Sequence, residues 1–238
     1  MRHRPRVVGP GPAPEDGWGS PARGGELHLL FGLSPLQLIE GIPGLLLAIV
    51  LHEVAHALVS TWFGDPTPGL HGRLSLNPLA HIDWIGMLML WIFQFGWARP
   101  VQIDPRYYRN PRLGLVLVAV AGPVMNVLVG LVCLALLAHV PWPASGWGVS
   151  VAQILRLAVD YNVFFAVFNI LPIPPLDGSR VLSALSREGA RLMAVIEPWG
   201  WILLIALIFL GPLDHILVAM ASWLLRWMAV AVGVPVGA

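Results

Sequence analysis

The apolar residues of this chain fall in uninterrupted runs of bilayer length instead of alternating with polar ones. A soluble domain carries about a quarter charged residues; this one carries 11% and is 57% hydrophobic. The fold class expected is an all-α polytopic membrane protein of about five to six transmembrane helices. The long runs are Leu36 to Trp62, Leu113 to Val140, Val149 to Leu171, Leu192 to Leu210 and Leu213 to Val232, with a shorter one from Trp84 to Trp97. Residues 1–26 are polar and rich in Pro, Gly and Arg, a composition that buries no core, and read as a disordered tail. The division expected is that tail, a membrane core over 27–190 and a C-terminal transmembrane helix pair over 191–238.

Charge excludes some functions and sets orientation. All 14 basic residues are arginines, thinly spread for a net charge of +1, so no nucleic-acid face exists. The single cysteine, Cys133, rules out an intrachain disulfide or a cysteine-based zinc site. Arg99, Arg106, Arg109 and Arg112 cluster in one loop, and Arg180, Arg187 and Arg191 in another stretch, while Pro141 to Gly148 carries no charge. By the positive-inside rule the arginine-bearing stretches face the cytoplasm.

Chemistry enters at Leu51-His52-Glu53-Val54-Ala55-His56. Positions i and i+4 share a helix face, so His52 and His56 can present two imidazole nitrogens to one Zn²⁺ with Glu53 alongside as general base. Ionisable groups inside an apolar run are expensive, and a shared metal is one way to satisfy three of them; bonding to neighbouring helices without a metal is the other. A catalytic zinc takes three protein ligands and keeps an open position. Asp177 is the candidate third ligand. It follows Pro172, Pro174 and Pro175, whose missing donors forbid continued helix, and unwound backbone at membrane depth belongs where it lines a cavity. Arg156 and Asp160, one turn apart, read as a simple pair, and Glu197-Pro198 as a helix start.

Four stretches in order, LHEVAHALVS (51–60), GRLSLNPLAHIDWIG (72–86), GWARPVQIDPRYYRNP (96–111) with AGPVMN (121–126), and FNILPIPPLDGSR (168–180), resemble the site-2 protease family of intramembrane zinc metalloproteases, in its short branch without a PDZ domain. The resemblance covers about residues 45 to 185. It implies one Zn²⁺ held by His52, His56 and Asp177, Glu53 as the catalytic base, Asn169 near the reacting carbonyl, and a substrate-positioning role for Asn126. The activity implied is hydrolysis of peptide bonds in single-span or hairpin membrane proteins near the cytoplasmic face of a prokaryotic inner membrane. A silent scaffold or a metal-binding or transport protein of the same fold is the alternative.

One metal shared by His52, His56 and Asp177 requires the histidine helix to run parallel to the Val149 to Leu171 helix. The chain between Trp62 and Leu113 must then cross an even number of times, and the 14 residues from Trp84 to Trp97 are too few for two crossings. A re-entrant or interfacial element, or a short β element, is expected there. Gly72, Arg73, Leu74, Ser75, Leu76 and Asn77 are expected either to shape the mouth of the site or to form an exposed edge strand for unwound substrate.

Overall fold

The computed structural model describes residues 35–93, 97–143 and 146–234. The polar tail lies outside the described residues.

Three long helices make the core: α1 (Pro35–Trp62), α4 (Pro111–His139) and α5 (Trp147–Asn169), each packed on the other two. Between the first pair come the short α2 (Thr67–Leu70) and α3 (Trp84–Phe93). Asn110 caps α4 by accepting a bond from the Leu113 amide, and Pro111 fills a first-turn position whose N–H would be orphaned anyway. Without a hydrophobic drive between helices in lipid, close packing needs small residues. Gly44 supplies one: a Cβ there would lie 2.7 Å from the Ala158 backbone of α5.

Side-chain pairings fix direction. Asn126 of α4 bonds to Ala48 of α1, and eight residues earlier on α4 Val118 bonds to His56, eight residues later on α1, so the two helices are antiparallel. Since α5 returns from α4 through a short connection, α1 and α5 run the same way, as one shared metal requires. Helix α3, with 10 residues, is about 15 Å long, half of a bilayer core. Its two flanks meet: Ile82 and Ala98 form an antiparallel bridge and the Arg99 amide bonds to the His81 carbonyl at 2.8 Å. The chain therefore dips and returns at one level, which is the expected re-entrant element.

Among the described residues five segments are long and apolar enough to cross a membrane, one of them Arg187–Ile208. That fourth segment is two helices, α7 (Arg187–Ile196) and α8 (Gly200–Phe209), joined by a 3₁₀ turn at Glu197–Trp199. Gly200 sits against Pro174, just past the end of α5. The next helix, α9 (Pro212–Ala231), starts with Asp214 and Leu217 on the same cavity as Asp177. It ends where the His139 imidazole at the close of α4 donates to the Val232 carbonyl at 2.7 Å. Arg187–Ile208 and Leu213–Ala231 match the expected C-terminal pair of spanning helices in length and composition, and the first of them also lines the cavity. The arginine-bearing stretch after Asp177 is also helical: amphipathic α6 (Asp177–Leu185) and α7 pack on each other, and α6 packs on α4.

Beyond α1 a buried acid ties the connections together. Asp65 is fully buried and accepts from the Ser60 hydroxyl (2.8 Å), the Thr67 amide (2.9 Å) and the Asp104 amide (2.8 Å), while Ser60 also bonds the Tyr108 hydroxyl. Burial alone would raise the Asp65 pKa, but the donors from Thr67, Asp104 and Ser60 outweigh it and hold the carboxyl below the usual range. A depressed folded pKa gives stability that is present above the unfolded value and is lost as pH falls. Asp65→Asn is expected to cost about 2 kcal/mol at neutral pH and to flatten the loss of thermal stability that the wild type shows below about pH 4, measured by melting in detergent.

Candidate metal centre

Helix α1 places His52 and His56 on successive turns of one face, and the unwound Ile170 to Leu176 stretch delivers Asp177 as the first residue of α6. The two Nε2 atoms lie 3.0 Å apart, and Asp177 Oδ2 lies 3.2 Å from His52 Nε2 and 3.1 Å from His56 Nε2. All three residues are buried. Ligands held about 2.0–2.1 Å from a tetrahedral zinc are separated by roughly 3.3 Å, close to this triangle.

The proton positions follow from the neighbours. His56 Nδ1 faces the Val118 carbonyl at 2.6 Å, and a carbonyl only accepts, so Nδ1 carries the hydrogen. For His52 the chain of inference is longer. Asn162 donates its amide to the Ala158 carbonyl, leaving its oxygen to accept from Asn126 Nδ2, which also donates to the Ala48 carbonyl. Asn126 Oδ1 must then accept from His52 Nδ1, at 2.7 Å. Each imidazole in its neutral form is thereby protonated at Nδ1 and presents an Nε2 lone pair towards a carboxylate oxygen. Three acceptors facing one another repel unless a cation lies between them, so the donor set fits a divalent metal.

The backbone leaves room for it. A Cβ added to Gly122 of α4 would fall 2.4 Å from His56 Nε2 and 2.6 Å from His52 Nε2, in the space a metal shared by these nitrogens would take. No other residue type keeps that space open.

Glu53 lies half-buried beside the ligands, its Oε2 accepting from the Val101 amide at 3.0 Å. Both border a cavity of about 370 Å³ with apolar walls that include Ile49, Phe164, Phe168 and Leu204. Asn169, at the last turn of α5, also lines it and donates its amide to the Phe165 carbonyl at 3.1 Å. Asn126 does not line it. Fully buried and bonded to His52, Ala48 and Asn162, it is placed to orient an imidazole, not to touch a substrate as the sequence suggested.

The stretch Gly72 to Asn77 pairs with no strand among the described residues and borders no part of the cavity. The expected edge strand is absent there because Arg73 turns inward and the Ser75 carbonyl accepts from the buried His81 Nε2. The extended segment on the cavity is instead Ala98 to Ile103. Of the other polar residues nearby, Asp83 caps α3 by accepting from the Ile85 and Gly86 amides, and exposed His71 bonds its own turn at Thr67. Sequence reasoning gave no role to Gly122, Asn162 or the Val101 amide; the amide side chain of Asn162 within an apolar run was the one available signal.

Gly122→Ala is expected to fold and to lose most of its bound zinc, read by elemental analysis of the purified protein. Asn126→Ala, which frees the His52 ring, is expected to weaken zinc affinity by about 10–100-fold in competition with a chelating dye.

No family model and no solved structure matches the chain. Among characterised sequences it is 37% identical over 174 residues to the protein named "Putative zinc metalloprotease YwhC" of Bacillus subtilis (strain 168), covering 71% of this chain and 79% of that one. It is 32% identical over 210 residues to "Putative zinc metalloprotease Rip2" of Mycobacterium tuberculosis (strain ATCC 25618 / H37Rv), covering 82% and 78%. The Rip2 protein of Mycolicibacterium smegmatis is 28% identical over 200 residues, covering 80% and 74%. With this degree of likeness over this much of both chains, the protein belongs to the site-2 protease family of zinc metalloproteases.

Proposed function

We propose that this chain is an intramembrane zinc endopeptidase that cleaves single-span or hairpin membrane proteins near the cytoplasmic side of a prokaryotic inner membrane. One observation carries the reading: the bare Nε2 atoms of His52 and His56 and the Asp177 carboxylate converge on a cavity that Glu53 also borders. A bound zinc ion supplies Lewis acidity for a carbonyl oxygen and for water. Glu53, at hydrogen-bonding reach of that cavity, takes the proton from the attacking water and returns it to the leaving amine nitrogen. Asn169 orients the peptide beside the scissile bond. The apolar walls suit the side chains of a membrane helix, and the arginine clusters near residues 99–112 and 180–191 support a cytoplasmic position for this end of the bundle.

A helical substrate has its main-chain groups tied up internally, so it must unwind before hydrolysis. The extended Ala98 to Ile103 segment is the backbone against which an unwound stretch would lie, since main-chain pairing holds a peptide without reading much sequence. Pro100 offers no donor there, and the Val101 amide is engaged by Glu53.

A transport protein would need further ligands along a path. Among the described residues His52, His56 and Asp177 are the one group placed to share a metal, which favours hydrolysis.

The test pairs wild type with Glu53→Gln, each reconstituted with a panel of single-span membrane proteins. Both are expected to retain one zinc, and Glu53→Gln to cleave at least about 100-fold more slowly. Equal cleavage by both would remove the proposed mechanism.

A further inference from the structure

Arg73 is an unusual residue to find buried. It is 3% exposed, and among the described residues no carboxylate lies within ion-pairing distance of it. A guanidinium withdrawn from water without a paired acid costs several kcal/mol unless its N–H groups are well used. Here Nη1 serves the backbone, donating to the Ala80 carbonyl and, at 3.5 Å, to the Arg99 carbonyl, while the buried Nε has no partner among the described residues. One side chain thus joins the two flanks of the re-entrant element, at the same place where the Arg99 amide bonds to the His81 carbonyl and Ile82 pairs with Ala98.

What lies next along the chain gives this its meaning. Two residues after Arg99, with only Pro100 between, the Val101 amide donates to Glu53 at 3.0 Å. Proline fixes its own φ, so the position of Arg99 is passed to Val101 with little slack. Burial and the Arg99 charge pull the Arg73 pKa down, and the Glu53 carboxylate is the group that pulls it back up.

We propose that Arg73 is a positioning residue for Glu53: its guanidinium holds the Arg99 to Val101 backbone in the register at which the Val101 N–H meets the Glu53 carboxylate. This rests on reading Glu53 as the general base. Lysine is a poor substitute, because its ammonium sits on a shorter, flexible stem and is strongly hydrated, whereas Nη1 of the planar guanidinium is held where it reaches both carbonyls.

The test needs no substrate. The full chain in detergent micelles is labelled with ¹⁵N-valine, and the Val101 resonance is identified by its disappearance in Val101→Ile. In the wild-type background Glu53→Gln is expected to move this resonance, since a carboxylate acceptor is replaced by an amide. In Arg73→Lys and in Arg73→Gln the response to Glu53→Gln is expected to be lost, with zinc content and melting temperature retained. A merely structural arginine would lower the melting temperature and leave the Glu53 response in place. A Val101 resonance that answers Glu53→Gln equally with and without Arg73 overturns the proposal, as does one that never answers it. Using two replacements keeps the result decisive should one fail to fold, and because nothing is cleaved, the outcome stands apart from the hydrolysis test.

Discussion

Two lone pairs and a carboxylate oxygen about 3 Å apart, buried and pointed at one another, form an arrangement that repels itself. The rest of the molecule is organised around holding it in that state. Asn126, Asn162 and the Ala48, Ala158 and Val118 carbonyls leave each neutral imidazole one tautomer, so relief comes from a cation shared by the three acceptors or from a further proton on a ring. Packing α1, α4 and α5 against one another through small residues supplies the rigidity that this network needs. Metal affinity is then a property of three helices, and of residues well behind the ligands.

Much of this was legible in the sequence, for identifiable reasons. The spacing of His52 and His56 is set by helix geometry, and Asp177 stands out because three prolines precede it where helix would otherwise continue. The re-entrant or interfacial element between Trp62 and Leu113 followed from the shared metal, which sets the parity of crossings, and from the shortness of the apolar run. Other features were not legible because they depend on which backbone approaches which. Gly122 is one glycine among 25 until α4 is seen against His52 and His56. Gly72 to Asn77 was expected to shape the mouth of the site or to form an edge strand, but the inward turn of Arg73 is decided by carbonyls along the chain at Ala80 and Arg99. Asn126 sits in a recognisable motif, yet only its three partners show that it works behind the ligand.

The apolar run from Leu192 to Leu210 has the length and hydropathy of a membrane span, yet it also shapes the site: after the 3₁₀ turn at Glu197–Trp199 its second half aligns Trp201, Leu204 and Ile208 along the cavity. Trp201 also meets Trp97, just past α3, with ring centroids 5.4 Å apart. The cavity is therefore walled by the core helices α1 and α5 on one side and by α3 and α8 on the other.

The antiparallel pairing of α1 with α4 puts Trp62 and Asn110 at one end of the bundle and His139 at the other. Trp147, which opens α5, starts from that second end, away from Asp177. A reporter domain inserted in the uncharged α4–α5 connection would therefore sample the opposite side from one inserted between α6 and α7.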